Sequence, residues 1–134
     1  MAEDFSIRRM LEIQNELQEK YKGKWEPIGP SAAQNKFMWA VGEMGEVIDI
    51  FKKKGAQAVM DDAEIRTHFI EEMADVFMYM ADVLNCMSVS AEEFADIYER
   101  KHAFNMKRDY VKANKKMFEE GAHDASFAAR AEEE

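Results

Sequence analysis

Apolar residues recur every three or four positions along most of the chain, which is the spacing of amphipathic helices, and no segment alternates with the two-residue period of a strand. The pattern predicts four helices, which cover about residues 4–21, 31–54, 61–87 and 90–108. Capping-box signals, in which a short polar residue is followed three positions later by Gln or Glu, predict the starts of the last three helices at Ser31, Asp61 and Ser90. We therefore expect an all-α fold, most simply a four-helix bundle.

The second and third predicted helices each carry a broad apolar arc that we expect to face the core. The two arcs contain Phe37, Ala40, Val41, Met44, Val47, Ile48 and Phe51 in the second helix, and Ile65, Phe69, Ile70, Val76, Phe77, Met80, Val83, Leu84 and Met87 in the third. In addition, residues 76–81 (VFMYMA) are apolar on every side, which usually means burial on every side. One small bundle cannot bury all its helices in this way, so the pattern predicts an oligomer, a homodimer or a homotetramer.

The length of 134 residues is that of one domain, and we expect a single helical domain over residues 1–120, followed by a frayed or disordered tail over 121–134. The single cysteine, Cys86, excludes an internal disulfide framework. The chain has no apolar run long enough for a membrane span and does not begin like a signal peptide, so we expect a cytoplasmic protein without a membrane partner. A net charge of −9 argues against nucleic acid as a partner.

The charge is unevenly distributed along the chain. Residues 40–99 hold fourteen acidic against four basic residues, whereas residues 100–116 hold seven basic residues against one acidic residue. Such a pattern suits a site that binds both a cation and an anion, although the charges alone favour the simpler explanation of two solvated helix faces.

Two short segments of the predicted helices resemble each other, EMGEV at 43–47 and EMADV at 72–76. At 100° per residue, both acid pairs lie about 60° apart, on the same shoulder of their apolar arcs. A short connection makes the two helices antiparallel neighbours, which allows four carboxylates to converge at Glu43, Glu46, Glu72 and Asp75.

Four carboxylates that approach one another would repel unless a cation compensates them. Carboxylate oxygens suit Mg²⁺, or alternatively Mn²⁺, better than zinc. Since 27 of the 134 residues are acidic, a single acid pair carries little information, and only the matched pairs favour a metal site. From the spacing alone, a metal site and a solvated acidic face both stay open.

The same residues are similar to a known family. VGEMGEVIDIFKKKG followed by EEMADVFMYMADVL resembles the E-x-x-E … E-x-x-D signature of the MazG-like all-α nucleoside triphosphate pyrophosphohydrolases. KHAFNMKR, further along, resembles a K-x-x-x-N-x-x-R pattern of the branch that contains dCTP pyrophosphatases and dimeric dUTPases. The resemblance covers about residues 25–110 and implies a MazG-like bundle, again as a homodimer or homotetramer.

The resemblance also implies an activity, the Mg²⁺-dependent hydrolysis of a nucleoside triphosphate to the monophosphate and pyrophosphate, as in cleansing of the nucleotide pool. It implies Mg²⁺ ligands at Glu43, Glu46, Glu72 and Asp75, and phosphate-binding residues at Lys101, Asn105 and Arg108. Trp25 would enclose the base, and Glu46 or Glu71 would orient or deprotonate the attacking water. Lys53 stands where the relatives have a second tryptophan, so the preferred base stays open.

Two other functions are compatible with a helical chain of this composition. A non-enzymatic interaction module could use the eleven methionines to bind partner helices. A di-iron carboxylate bundle would use Glu-x-x-His pairs, of which the chain has two, Glu99/His102 and Glu120/His123. These pairs are too close in sequence to come from two separate helices, which makes the di-iron site the least favoured of the three functions.

Overall fold

The computed structural model of the chain describes residues 3–108, and the predicted tail over 121–134 and the Glu120/His123 pair lie outside the described residues. Within this range the protein is helical without strands, so the all-α prediction is confirmed. A short 3₁₀ turn spans Pro30–Ala32, and there are five helices: α1 (Ile7–Lys20), α2 (Ala33–Lys54), α3 (Ala56–Asp61), α4 (Ala63–Cys86) and α5 (Ala91–Lys107). None of these helices is long and apolar enough to cross a membrane.

Within the described residues the chain divides into two compact units, one that ends at Ala91 and one that begins at Glu92. The first unit contains α1 to α4, and nearly all of α5 belongs to the second. The helix α5 begins directly after Ser90, at the position that the capping signal predicts, and ends at Lys107.

The ends of α2 show how local sequence sets a helix boundary. The predicted cap at Ser31 is wrong, because this residue lies inside the 3₁₀ turn, and the helix begins after Ala32 without a side-chain cap. Pro30 opens the 3₁₀ turn, where its fixed φ and its missing N–H cost nothing. At the other end the helix ends at Lys54 as predicted. Gly55 follows, with a φ of +84° that favours glycine and with its N–H donating to the Phe51 carbonyl at 2.9 Å.

The connection between α2 and α4 holds the short helix α3, which the sequence analysis did not predict because six residues are too few to show a period. The cap of α4 is Asp62 and not Asp61. The Asp62 carboxylate accepts hydrogen bonds from the backbone N–H groups of Glu64 at 2.9 Å and Ile65 at 3.1 Å. The predicted end of this helix near Met87 is confirmed, since Met87 is its C-cap.

Helices α2 and α4 form the main packing contact of the first unit, and α1 packs on α4. Trp39 of α2 stacks on Tyr79 of α4, and Phe51 of α2 lies beside Phe69 of α4, with ring centroids 6.4 Å and 5.5 Å apart. Because higher numbers on α2 meet lower numbers on α4, the two helices are antiparallel, as expected. The residues buried between the helices are Leu11, Ala32, Ala40, Val47, Ile50, Val59, Val76, Ala81 and Cys86.

The prediction that both apolar arcs are core is wrong for the single chain. Val47 and Val76 are buried, but eight members of the arcs are between 40% and 55% exposed, namely Phe37, Val41, Met44, Ile48, Phe51, Ile70, Phe77 and Met87. The arcs are wider than the surface that α2 and α4 bury against each other, so a continuous part of each remains open.

Replacement of Asp62 by alanine should lower the free energy of unfolding by about 1 kcal/mol, because two N-terminal N–H groups of α4 lose their acceptor. Urea denaturation followed by circular dichroism measures this change. Asp61→Ala is the matched control and should cost only a few tenths of a kcal/mol. An equal or larger loss for Asp61→Ala would contradict the observed cap.

Candidate metal centre and adjoining cleft

Three acidic side chains meet where α2 and α4 run side by side. Glu43 of α2 and Glu72 and Asp75 of α4 each present a carboxylate oxygen, and these three oxygens lie within 4.8 Å of one another. The three side chains are partly buried. Glu72 and Asp75 are three residues apart and therefore lie on one face of their helix, and the antiparallel register brings Glu43 opposite them. The group could hold a metal ion, and we call it the acidic triad.

The electrostatics of the triad show why it suits a cation. Burial raises the pKa of Glu43, and its hydrogen bond with the Glu72 carboxyl raises this pKa further. The negative charges of Asp75, Glu72 and Glu46 act in the same direction. A group of carboxyls in this situation retains a proton or takes up a cation, since either removes the repulsion. The donors are all carboxylate oxygens, the ligand type of hard divalent cations.

His68 lies one helical turn before Glu72, and its Nδ1 is 3.6 Å from the Glu72 Oε1. No role for His68 was predicted, although the four-residue spacing of His68 and Glu72 on one helix was the available signal. The contact orients the Glu72 carboxylate from outside the triad.

The other two predicted acids lie apart from the triad. Glu46 is exposed and lines a second cleft, together with Lys53 and His68, although it is close enough to raise the pKa of Glu43. Glu71 is exposed as well. The structure therefore brings together three of the four predicted metal ligands, and neither candidate for water activation belongs to the triad.

A cleft of about 340 Å³ adjoins the triad, with Asp75 in its wall. It lies between α1, α2, α4 and the segment that precedes α2, which places Trp25 in its lining. Trp39 and Tyr79 line it too, with their stacked rings inclined by only 18°. Trp25 is itself stacked on Tyr21, at 4.3 Å between ring centroids. The cleft thus offers flat aromatic surfaces beside three carboxylates.

A polar group also lines this cleft. Gln14, Lys36 and Asp82 are 4%, 6% and 3% exposed, and the Gln14 Nε2 donates to the Asp82 Oδ1 at 3.1 Å. Burial raises the pKa of Asp82, against the opposing influence of hydrogen bonds from Gln14 and Gln18 and of the Lys36 charge. These residues were not predicted, because charged side chains at helical spacing usually face solvent.

Tyr79 connects the triad with this polar group. Burial raises the pKa of Tyr79, and the negative charges of Glu43, Asp75 and Asp82 raise it further. The phenol therefore stays neutral near pH 7, and its hydroxyl can donate a hydrogen bond.

The three predicted phosphate-binding residues are associated with α5, in the second compact unit. Lys101 and Asn105 are four residues apart on one face of this helix. Arg108 follows the helix directly, and its backbone N–H donates to the Phe104 carbonyl at 3.0 Å. That these side chains bind the same ligand as the triad stays a prediction.

Comparisons of the chain with known protein families, with curated proteins and with solved structures find no match. The resemblance to the MazG-like pyrophosphohydrolases consequently rests on the acid motif, the K-x-x-x-N-x-x-R pattern and Trp25. It does not rest on similarity of the whole chain or of the whole fold.

Mg²⁺ should raise the melting temperature at pH 8 by roughly 5–10 °C when it exceeds its Kd about 100-fold, since that excess stabilises the folded state by about 2.7 kcal/mol. The effect should shrink at pH 5. The folded-state pKa of Glu43 is raised, so the metal-free protein loses stability as the pH rises through this pKa, and at lower pH a proton competes with Mg²⁺. Differential scanning fluorimetry at both pH values measures the shifts.

Glu43→Gln should raise the melting temperature of the metal-free protein and abolish the response to Mg²⁺, because it removes both the repulsion and a ligand. Glu71→Gln, next to the triad in sequence but outside it, should keep the full response. A response that survives in Glu43→Gln would rule out the triad as the binding site.

Proposed function

We propose that the protein hydrolyses a nucleoside triphosphate to the nucleoside monophosphate and pyrophosphate, with Mg²⁺ as cofactor and Mn²⁺ as an alternative. The observation that carries this proposal is the acidic triad at the side of an aromatic cleft. The motif resemblance to the MazG-like pyrophosphohydrolases supports the same reaction.

The shape of the site supports a ligand with two chemically different ends. A triphosphate needs a cation, which three carboxylates can hold, and a nucleobase needs a flat apolar surface, which the aromatic side chains supply. The cleft volume of about 340 Å³ lies within the range of small-molecule sites. We assign Trp25 to the base, because it lines the cleft that Asp75 also lines.

The donor set of the triad fits Mg²⁺, with Glu43, Glu72 and Asp75 as the ligands. When bound, Mg²⁺ supplies polarisation of the phosphate oxygens and lowers the pKa of a bound water. We assign the orientation or deprotonation of the attacking water to Glu46 or Glu71. Both acids are exposed; Glu46 follows Glu43 by three positions, and Glu71 directly precedes Glu72. Glu46 is the stronger of the two candidates, because its charge reaches Glu43.

For the phosphates we propose Lys101, Asn105 and Arg108 as ligands. Lys101 and Arg108 would offset phosphate charge, Arg108 through a bidentate fork, and Asn105 would donate its amide N–H. Tyr79 adds a neutral hydroxyl donor whose raised pKa follows from its acidic neighbours.

We further propose that the protein forms a homodimer or homotetramer through the exposed parts of the two apolar arcs. Eight large or β-branched apolar residues on α2, on α4 and at the end of α4 are at least 40% exposed in the single chain. A second copy that covers them would gain about 25 cal/mol per Å² of apolar surface removed from water.

Light scattering coupled to size-exclusion chromatography should give two or four times the chain mass of 15.5 kDa. Ile48→Glu, in the exposed part of the α2 arc, should reduce the mass to that of one chain while helicity is kept. Met60→Glu is the control, since Met60 is exposed on α3 outside the arcs. A wild-type monomer, or dissociation by Met60→Glu alone, would contradict this interface.

Hydrolysis is tested with a panel of nucleoside triphosphates, with Mg²⁺ or with EDTA, and ion-exchange chromatography of the products. We expect monophosphate and pyrophosphate as the products. The rate of hydrolysis should fall by at least roughly 100-fold in Glu72→Gln and Asp75→Asn, because even residues that only hydrogen-bond to metal ligands typically contribute 10–100-fold to activity. Glu12→Gln, on the exposed surface of α1, is the control. Release of orthophosphate would contradict the proposed bond cleavage. If no nucleotide is hydrolysed and Mg²⁺ has no effect, the interaction module becomes the better explanation.

A further inference from the structure

The cleft is built in three layers along the antiparallel helices α2 and α4. The first layer is the acidic triad. One turn away, Trp39 precedes Glu43 by four residues and Tyr79 follows Asp75 by four, and their rings stack. Two turns away from the triad, Lys36 precedes Glu43 by seven residues and Asp82 follows Asp75 by seven. Seven residues of helix span about 10 Å, so the Lys36–Asp82 layer lies about that far from the triad.

The third layer contains polar groups whose hydrogen-bonding capacity is unused. Lys36 is 6% exposed and makes no hydrogen bond or ion pair with any residue of the described part of the chain. The Oε1 of Gln14 is also buried and has no hydrogen-bond partner among these residues. Asp82, at 3% exposure, is linked to α1 by the Gln14 Nε2. The Lys36 side chain lines the cleft and its charge acts on Asp82, so its ammonium group can donate to a ligand that enters there.

We propose that Lys36 and Asp82 determine base specificity, with Lys36 donating to a carbonyl oxygen of the nucleobase and Asp82 accepting from a base N–H. This assignment rests on the proposed function, since it takes the phosphates to lie at the triad. Both residues line the cleft that Trp39 and Tyr79 also line. A base stacked on this aromatic layer would present its polar edge to the next layer, where Lys36 and Asp82 lie.

The pair selects a chemical class of base. Lysine is a donor only, and a carboxylate is an acceptor, so the pair matches a base edge with a carbonyl and an N–H. Guanine, cytosine, uracil and thymine carry both groups, whereas adenine presents its N–H beside a ring nitrogen, which accepts through a single lone pair. A carbonyl oxygen has two lone pairs and carries more negative charge than a ring nitrogen, so the Lys36 ammonium should bind it more strongly. The site should therefore favour a carbonyl base over adenine.

The test is kcat/KM for adenine nucleotides against nucleotides of the four carbonyl bases. In the wild type we expect kcat/KM for the nucleotide of at least one carbonyl base to exceed kcat/KM for the adenine nucleotide by roughly 10-fold or more. Lys36→Met and Asp82→Asn should each lower kcat/KM for that base by roughly 10–100-fold, mainly through KM, and leave adenine nearly unchanged. Lys52→Met, at the exposed end of the same helix, is the matched control.

Three results would overturn the assignment. These are a wild type that prefers adenine, variants that lower kcat/KM for every base by one common factor, and variants that leave the selectivity ratio unchanged. Lys36→Met should keep the helicity of the wild type, because methionine retains most of the apolar stem of lysine. If Asp82→Asn fails to fold, Lys36→Met alone decides the question.

A second readout separates this proposal from the proposed hydrolysis. Nucleosides without phosphate, added in EDTA, should quench the fluorescence of the cleft tryptophans, more strongly for the preferred carbonyl base than for adenosine, and Lys36→Met should abolish the difference. Hydrolysis without base-dependent quenching would overturn the proposed role of Lys36 and Asp82 and would leave the proposed reaction in place. Base-dependent quenching without hydrolysis would overturn the reaction and keep the pair.

Discussion

The structure depends on the antiparallel register of α2 and α4. This register places Glu43 opposite Glu72 and Asp75, so that three carboxylates share a partly buried volume. The same register stacks Trp39 on Tyr79 and places Lys36 and Asp82 in one layer. A shift by one residue would rotate every side chain of one helix by 100° and separate all three layers. One packing contact therefore positions metal ligands, aromatic surfaces and polar selectivity groups together.

The site costs stability in the unliganded protein. Burial and mutual repulsion raise the pKa of Glu43, and burial raises that of Asp82, so both carboxylates would be easier to keep as neutral acids. Lys36 is 6% exposed, and its charge acts on Asp82. Such groups persist where ligands compensate them. In our account a cation compensates the triad and a nucleobase compensates Lys36, which couples substrate binding to the stability of the helix pair.

Much of the fold could be predicted from the sequence, because long helices follow a fixed period. The repeated acid motif led to Glu43, Glu72 and Asp75, since i, i+3 pairs on antiparallel helices face each other in a defined way. Glu46 was expected in the same group and lies outside it, because a helical wheel does not show which edge of the apolar arc the neighbouring helix covers. Lys36 and Asp82 escaped prediction because their burial depends on α1, whose Gln14 contacts Asp82 across 68 positions of sequence. The apolar arcs were expected in the core, yet a single chain offers too little surface to cover them.

The central claim is that the triad holds the cation to which a nucleoside triphosphate binds. It is tested most directly by electron paramagnetic resonance of Mn²⁺ with a nucleotide analogue whose α,β-bridging oxygen is replaced by a group that resists hydrolysis. We predict that the protein binds Mn²⁺, that the analogue tightens this binding, and that Asp75→Asn abolishes both effects. Mn²⁺ binding that is the same in Asp75→Asn, or that does not respond to the analogue, would contradict the account.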